Sequence, residues 1–246
     1  MENTTMENTR TKTTRNSLIL LLTAAIWGMA FVSQSKGMDY MHPFTFNGVR
    51  SLIGAASILV YILISRKIAG DKAAPLDWKL NVKAGLLCGI FLTIASTLQQ
   101  FGIKYTSVGK AGFITTLYII FVPMFGIFLK KKVAPVVWAA AVMAAVGMYL
   151  LCMTESLRLG AGDIMVFLCA IAFAIQIMTV DHYAARIDGT VVSCIQFTVC
   201  GVVCCIGALI WGQPTFGQLQ EGLGALLYAG VLSCGVGYTL QIVGQK

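Results

Sequence analysis

An arginine lies inside a long apolar stretch of this chain. Arg50 falls within the segment Phe44–Ser65, and Asn47 precedes it by about one helical turn. A charge in an apolar segment is costly, so such residues usually face the interior of a helix bundle or a wet cavity. We expect Arg50 to bind an anionic group of a substrate or to lock a gate. The alternative is a structural role, in which the side chain reaches the lipid headgroups or pairs with a carbonyl.

A short polar signature occurs twice, at Thr97–Lys104 and at Thr239–Lys246. Its glutamines, Gln99 and Gln241, are neutral polar residues near the ends of apolar segments, and we expect them to line a substrate pathway. The same role is predicted for further polar and aromatic residues, namely Trp27, Gln100, Gln176, Gln196 and Tyr238. The alternative for the glutamines is hydrogen bonding between helices, worth about 1 kcal/mol each.

The sequence lacks the residue clusters that membrane enzymes and metal sites need. No aspartate or glutamate lies deep in an apolar segment, and no group of histidines and aspartates falls at one membrane face. Cys200 and Cys204 are one helical turn apart, which leaves a soft-metal or redox site open, but we favour apolar packing. No filter loop or charged ring of a channel is visible. We therefore predict a protein that is not an enzyme and that uses no cofactor or bound metal.

These residues are embedded in an unusually apolar chain. Hydrophobic residues make up 57% of its 246 residues, charged residues 11%, and the mean hydropathy is +0.80. Soluble domains carry about 25% charged residues, so an ordinary soluble domain is excluded. Apolar runs of about 18 or more residues form membrane-spanning helices, because backbone groups in lipid must be satisfied within the segment. The sequence predicts eight spans: Leu18–Ser35, Phe44–Ser65, Ala84–Phe101, Ala111–Leu129, Ala134–Met153, Ile164–Val180, Thr190–Trp211 and Leu223–Val243.

Basic residues are distributed unevenly between the loops that these spans define. If the N-terminus is cytoplasmic, 13 lysines and arginines fall on the cytoplasmic side and 4 on the other. Because cytoplasmic loops are enriched in basic residues, we expect a cytoplasmic N-terminus in the inner or plasma membrane. The net charge of +8 then reflects loops that face anionic headgroups, and it requires no nucleic-acid partner.

The two copies of the signature indicate an internal duplication. They lie 142 residues apart, at the ends of the third and eighth spans. The offset of five spans is odd, so the copies have opposite orientations in the membrane. A five-helix unit repeated with inverted topology gives ten helices, an arrangement typical of transporters. This chain contains the first unit in full and three helices of the second.

Several segments resemble a known family. WGMAFVSQ at Trp27–Gln34 is similar to the first-helix signature of EamA-type permeases of the drug/metabolite transporter superfamily. HPFTFNGVRSLIGA at His42–Ala55 resembles their second helix. Leu98–Lys132, with its proline Pro123, resembles the exit of the third helix and the fourth helix, and Ala161–Ile177 resembles the opening of the sixth. The order and spacing of these segments extend the resemblance from Trp27 to the end of the sequence.

The resemblance implies an all-α polytopic membrane protein with ten helices in two inverted five-helix repeats. It also implies a permease that moves a small metabolite or drug-like molecule by alternating access, with the substrate and the lipid bilayer as partners. Assembly into a homodimer is left open. The predicted organisation is a disordered N-terminal tail at residues 1–17, a complete first repeat at 18–153 and an incomplete second repeat at 161–246.

Two helices of the family pattern are absent after Lys246, so we expect either a shortened protein or a fragment. The alternative function is therefore a truncated, transport-inactive or assembly-dependent relative. Within the spans, Pro123 removes one helical hydrogen bond and is predicted to kink the fourth span. Gly85 and Gly89 form a GxxxG pair, which favours close helix packing.

Overall fold

The regular elements of the described part of the chain are helices. The computed structural model describes residues 2–70, 76–130, 134–152 and 160–244. The helices are α1 (Glu2–Gly37), α2 (Pro43–Ala69), α3 (Trp78–Tyr105), α4 (Val108–Thr116), α5 (Tyr118–Phe128), α6 (Pro135–Cys152), α7 (Ala161–Tyr183), α8 (Gly189–Gly207), α9 (Phe216–Glu221), α10 (Leu223–Leu227) and α11 (Tyr238–Gly244). A 3₁₀ turn at Ala184–Arg186 follows α7. π-Helical segments extend α8 at Ala208–Gly212 and join α10 to α11 at Tyr228–Gly237.

Seven helical stretches in the described residues are long and apolar enough to cross a membrane. They are Thr14–Gly37, Pro43–Ala69, Trp78–Tyr105, Val108–Phe128, Ala161–Arg186, Gly189–Gly212 and Leu223–Ile242, the last of which we call the last span. These stretches coincide with seven of the eight predicted spans and confirm an all-helical, polytopic membrane protein.

The remaining predicted span, Ala134–Met153, corresponds to α6. The helix covers Pro135–Cys152, and Met153 lies outside the described residues. Its described apolar stretch, Pro135–Gly147, is about 20 Å long at 1.5 Å per residue. That length is short of a hydrocarbon core of about 30 Å, so the count of eight spans stays a prediction.

The N-terminal segment differs from the predicted disordered tail at residues 1–17. Helix α1 begins at Glu2 and continues without a break to Gly37. The physical reason is that elongation of an existing helix adds one backbone hydrogen bond for each residue that is ordered. The apolar part of α1 can therefore extend its helix into the polar segment before it.

Helix α3 has the most extensive packing in the bundle. It packs against α7 and α8, while α2 packs against α8 and the last span, and α1 packs against the last span. Glycines allow this close approach. A Cβ atom added at Gly85 would lie 2.6 Å from the Ile195 side chain, and one added at Gly89 would lie 2.7 Å from Val199. The GxxxG pair of α3 therefore makes the predicted close contact, with α8.

The fourth span is interrupted at Leu117, where α4 ends and α5 begins. The N–H of Leu117 bonds to the carbonyl of Ile114 at 3.2 Å, three residues back, instead of the usual four. Pro123 lies buried inside α5, beyond this interruption. The observed break is thus at Leu117, and a kink caused by Pro123 itself stays a prediction.

Candidate functional site

A cluster of polar side chains is buried where α2, α3 and α8 meet. At its centre, the Asn47 amide Nδ2 donates to Ser96 Oγ at 3.0 Å and to Cys204 Sγ at 3.2 Å. The helices approach closely because glycine leaves room: a Cβ atom added at Gly48 would lie 2.8 Å from Cys205 Sγ. We call this group the Asn47 cluster and define it by Asn47, Arg50, Ser51, Ser96, Thr97, Cys200 and Cys204.

Arg50 contributes the charge of the Asn47 cluster. Its Nε and Nη2 donate to Asn47 Oδ1 at 3.0 and 2.9 Å, and its guanidinium lies 5.8 Å from the centre of the Phe46 ring. Only 6% of the residue is exposed, so the side chain is enclosed by the surrounding helices. No carboxylate of the described residues forms an ion pair with it. The charge therefore has neutral partners within the described part of the chain.

Two thiols complete the α8 side of the Asn47 cluster. Cys200 Sγ lies 3.3 Å from Ser96 Oγ and 3.5 Å from Ser51 Oγ, and Cys204 Sγ lies 3.5 Å from Thr97 Oγ1. Thiols are weak hydrogen-bond donors and acceptors, so they can fill space and still satisfy the hydroxyl groups. The described residues contain no group of three or more side chains suited to a metal ion.

Aromatic side chains of α1, α8 and α11 are in contact. The rings of Trp27 and Tyr238 are 5.2 Å apart, and those of Phe197 and Tyr238 are 4.7 Å apart. Trp27 Nε1 donates to the backbone carbonyl of Ser233 at 3.2 Å, which attaches α1 to the π-helical segment. Phe197 packs in the same apolar cluster as Cys200 and Cys204, and Tyr238 packs against it, so this aromatic group adjoins the Asn47 cluster.

The predicted glutamines separate into different contacts. Gln176 Nε2 donates to Gln196 Oε1 at 2.9 Å, which links α7 and α8 through two buried amides. Gln99 donates to Thr115 Oγ1 in α4 at 3.3 Å. These contacts are hydrogen bonds between helices, the arrangement that we gave as the alternative to a role in the pathway.

The remaining predicted residues are not brought into the Asn47 cluster. Gln100 donates to the Gln34 carbonyl in α1 at 3.2 Å, and Gln241 is half-buried in α11. Neither residue contacts Asn47 or Arg50 in the described hydrogen bonds. The two copies of the signature therefore differ locally, because Thr97 contacts Cys204 whereas Thr239 bonds to the Gly235 carbonyl of its own helical turn.

Sequence reasoning missed part of the Asn47 cluster. Ser51 and Ser96 carry no individual signal, because a serine in an apolar span is common as a packing residue. For Cys200 and Cys204 the sequence favours apolar packing over a soft-metal or redox site, although their spacing of one turn places both on one helical face. That spacing, together with the polar residues of α2, was the available signal.

A second buried charge lies where the end of α3 meets the start of α7. The Asp163 carboxylate accepts from the Gly160 N–H at 2.9 Å and from the Thr106 hydroxyl, and its Oδ2 lies 3.6 Å from Lys110 Nζ. The carboxylate thus satisfies the backbone N–H of Gly160, the N-cap residue of α7, and is paired with a cation. The adjacent Gly162 is also tightly packed, because an added Cβ would lie 2.7 Å from the Tyr105 backbone.

His42 lies just before the second span and serves as the N-cap of α2. Its Nδ1 accepts from the Phe44 N–H at 3.3 Å, which requires a neutral ring. Burial and, to a smaller degree, the positive charge of Lys104 lower the pKa of His42 from its ordinary value. Both causes favour the neutral imidazole that the cap needs.

Comparisons with known proteins point to one family. The model described as "EamA-like transporter family" matches residues 15–153 and 160–246. An uncharacterized transporter of Archaeoglobus fulgidus is 30% identical over 180 residues, covering 71% of this chain and 51% of the relative. The chain thus spans about half the length of that relative. The uncharacterized transporter YwfM of Bacillus subtilis is 26% identical over 228 residues, covering 91% of this chain and 74% of YwfM.

The fold also has a counterpart among solved structures. One crystal structure superposes with a TM-score of 0.64 over 94% of this chain and 79% of the other chain. The sequence identity is 18%, so this likeness concerns the fold alone.

Proposed function

Because the chain belongs to the EamA-like transporter family, we propose that it moves a small metabolite or drug-like molecule across a membrane by alternating access. The observation that carries this proposal is the Asn47 cluster, a buried group with a charge inside an apolar bundle. Polar and ionisable residues in such a position mark the pathways of substrates and ions. Membership of a transporter family also supports the prediction that the chain is not an enzyme.

The proposed site lies between the two regions that the family model matches. Helices α2 and α3 belong to residues 15–153, and α8 belongs to residues 160–246. Transporters built from repeats bind substrate where the repeats meet, so that rocking one unit against the other exposes the site to each side in turn. The position of the Asn47 cluster agrees with that requirement.

Helix pairing supports the proposal of two inverted repeats, at residues 18–153 and 161–246. If α1, α2 and α3 correspond to α7, α8 and the last span, the contacts form matching pairs. The α3–α7 contact is then the counterpart of the contact between α1 and the last span, and the α3–α8 contact that of α2 with the last span. The α2–α8 contact corresponds to itself, as expected for helices on either side of a pseudo-twofold axis.

The proposed topology counts α6 as a membrane-spanning helix, giving eight, and places the N-terminus in the cytoplasm. The inner or plasma membrane is the proposed location, since basic residues concentrate on the side of the N-terminus. The substrate and the surrounding lipid are the proposed partners, and a homodimer remains open. The topology can be tested by introducing single cysteines into the loops and the N-terminal segment and labelling intact cells with a reagent that does not cross the membrane. Reaction of a cysteine in the N-terminal segment would contradict this topology.

Transport can be tested with purified full-length chain in proteoliposomes. Vesicles loaded with a mixture of small metabolites are diluted into buffer, and the released compounds are identified by mass spectrometry against protein-free vesicles. We expect protein-dependent release of at least one compound. Release should be lost in Asn47→Leu and retained in Thr198→Leu, a matched change at an exposed position of α8.

The negative outcome of this assay is also informative. If correctly folded protein releases no compound above the protein-free control, transport by this chain alone is refuted. A transport-inactive or assembly-dependent member of the family then becomes the better description. Size-exclusion chromatography of the reconstituted sample establishes that each variant is folded.

A further inference from the structure

We propose that Arg50 and Asn47 bind a carboxylate, so that the substrate is a small organic acid with one negative charge. This inference rests on the proposed function, since it names the substrate class of the same site. The site is closed in the present conformation, because Asn47 is fully buried and Arg50 is 6% exposed. Entry of the acid therefore requires the helices around the Asn47 cluster to separate, as alternating access provides.

The charge balance of the Asn47 cluster is the first argument that the ligand is an anion. A buried charge is costly unless it is paired, and pairing is what the fold supplies to Asp163 through Lys110. No carboxylate among the described residues performs that role for Arg50. An anionic ligand would supply the missing counter-charge.

The hydrogen-bond geometry of Arg50 is the second argument, and it favours a carboxylate. A guanidinium has five N–H groups, and Arg50 uses Nε and Nη2 to hold the single oxygen Asn47 Oδ1. Nη1 has no acceptor among the described residues. Asn47 in turn is fixed by Ser96 and Cys204, so it holds the guanidinium in one orientation. A guanidinium held in this way can present parallel N–H groups to a carboxylate.

The magnitude of the charge selects among anions. One guanidinium neutralises one negative charge, so a carboxylate leaves the Asn47 cluster neutral. A phosphate monoester carries about two charges at neutral pH and would leave a net negative charge in a medium of low dielectric. The rings of Phe197 and Tyr238 pack with Cys200 and Cys204, and Trp27 contacts Tyr238, so these rings suit an apolar remainder of the acid.

The test compares acids with their neutral amides on purified full-length chain. The probe pairs are butyrate and butyramide, benzoate and benzamide, and indole-3-acetate and indole-3-acetamide, with phenyl phosphate as a dianion. We expect at least one acid to raise the thermal unfolding midpoint and to bind tenfold or more tightly than its amide in calorimetry. If no acid binds better than its amide, the proposal is wrong. If phenyl phosphate binds more tightly than benzoate, the assignment of a single charge is wrong.

Variants separate a binding role from a structural one. Arg50→Gln should lower the affinity for the acid at least tenfold, while the unfolding midpoint without ligand stays the same or rises because an unpaired charge is removed. Arg66→Gln makes the same charge change in the last turn of α2 and should leave affinity unchanged. Affinity in Arg50→Gln equal to that of the original chain would overturn the proposal.

Asn47→Asp provides a second variant in case Arg50→Gln does not fold. It places a carboxylate at the position that already contacts the guanidinium, so we expect retained stability and loss of acid binding. Acid binding that survives in a folded Asn47→Asp protein would contradict the inference. If acids bind but are not exchanged in proteoliposomes, the proposal of transport is refuted and the carboxylate site is supported. If neutral compounds are transported equally well by the original chain and by Arg50→Gln, transport is supported and the carboxylate site is refuted.

Discussion

Two buried charges in this bundle are held in different ways. Asp163 has a cation at 3.6 Å, an N–H donor at 2.9 Å and a hydroxyl donor, and it lies beside the tightly packed Gly162. Arg50 has an amide oxygen and an aromatic ring, and its charge is unmatched among the described residues. Both residues are almost completely buried. The difference therefore lies in their partners and not in their exposure.

The contacts between helices also differ around these two charges. At the crossing of α3 and α7, which we call the Gly102–Gly162 crossing, a Cβ added at Gly162 would lie 2.8 Å from the Gly102 carbonyl oxygen. That contact is made by backbone atoms, which cannot exchange partners. The Asn47 cluster is joined by side chains, and side chains can exchange hydrogen-bond partners when a ligand enters. We infer that the crossing serves as a fixed joint and the cluster as the part that a ligand can enter.

The largest effect should follow from filling the Gly102–Gly162 crossing. Gly162→Ala places a methyl group 2.7 Å from the Tyr105 backbone, and we expect a loss of about 3 kcal/mol of unfolding free energy. Gly112→Ala is the matched control, because no heavy atom lies within 4 Å of the added Cβ. It should stabilise its helix by about 0.5–1 kcal/mol. Thermal unfolding in detergent measures both, and similar midpoints would contradict the idea of a fixed joint.

Removal of the centre of the Asn47 cluster should have the next largest effect. Asn47→Leu deprives the Arg50 guanidinium of its acceptor, and we expect a loss of about 2 kcal/mol, typical of a hydrogen bond to a charged group. Adding the Arg50→Gln change should recover part of the loss, because the unpaired charge is then gone. An equal or larger loss in the double variant would show that Arg50 is not the source of the instability.

Removal of Asp163, the buried charge that is paired with a cation, tests the comparison with Arg50 from the other direction. Asp163→Ala removes the acceptor of the Gly160 N–H at the start of α7 and leaves Lys110 without this carboxylate, so we expect a loss of about 1 kcal/mol. Asp39→Ala, at an exposed position in the turn after α1, should change the unfolding midpoint little. The comparison between matched and unmatched charges fails if Asp163→Ala stabilises the protein in the way expected for Arg50→Gln.

The smallest effect concerns the link between α7 and α8. A double-mutant cycle with Gln176→Leu and Gln196→Leu isolates the hydrogen bond of 2.9 Å between the two amides. We expect a coupling of about 0.6 kcal/mol, the average for such bonds in membranes. A coupling near zero would show that the amides have equally good partners elsewhere, and would revive the proposal that they line the pathway.

The prediction of the fold from the sequence succeeded where the signal was local. Runs of apolar residues located seven spans with ends that differ by up to six residues, because a helix is the form in which such a segment satisfies its backbone in lipid. The GxxxG pair of α3 was identified for the same reason, since a small residue at that spacing permits close approach. The polar N-terminal segment was predicted less well, because its helix depends on the apolar segment that follows it.

The prediction of the site was less complete because it depends on which helix faces meet. Arg50 and Asn47 were recognised as polar residues within a span, and the structure places them in one cluster. Gln99 and Gln100 are neighbours in the sequence but bond to different helices, α4 and α1. Adjacent residues on a helix point about 100° apart, so proximity in sequence does not imply a shared site.

The amino-acid sequence by itself determined that this is a helical membrane protein, which family it resembles and where its costly polar residues lie. Those properties follow from the free energy of placing each segment in lipid, which depends on local composition. The tertiary structure decided that Asp163 is paired and that Arg50 meets only neutral partners among the described residues. The physical reason is that pairing depends on distances between side chains far apart in sequence, and only helix packing sets those distances.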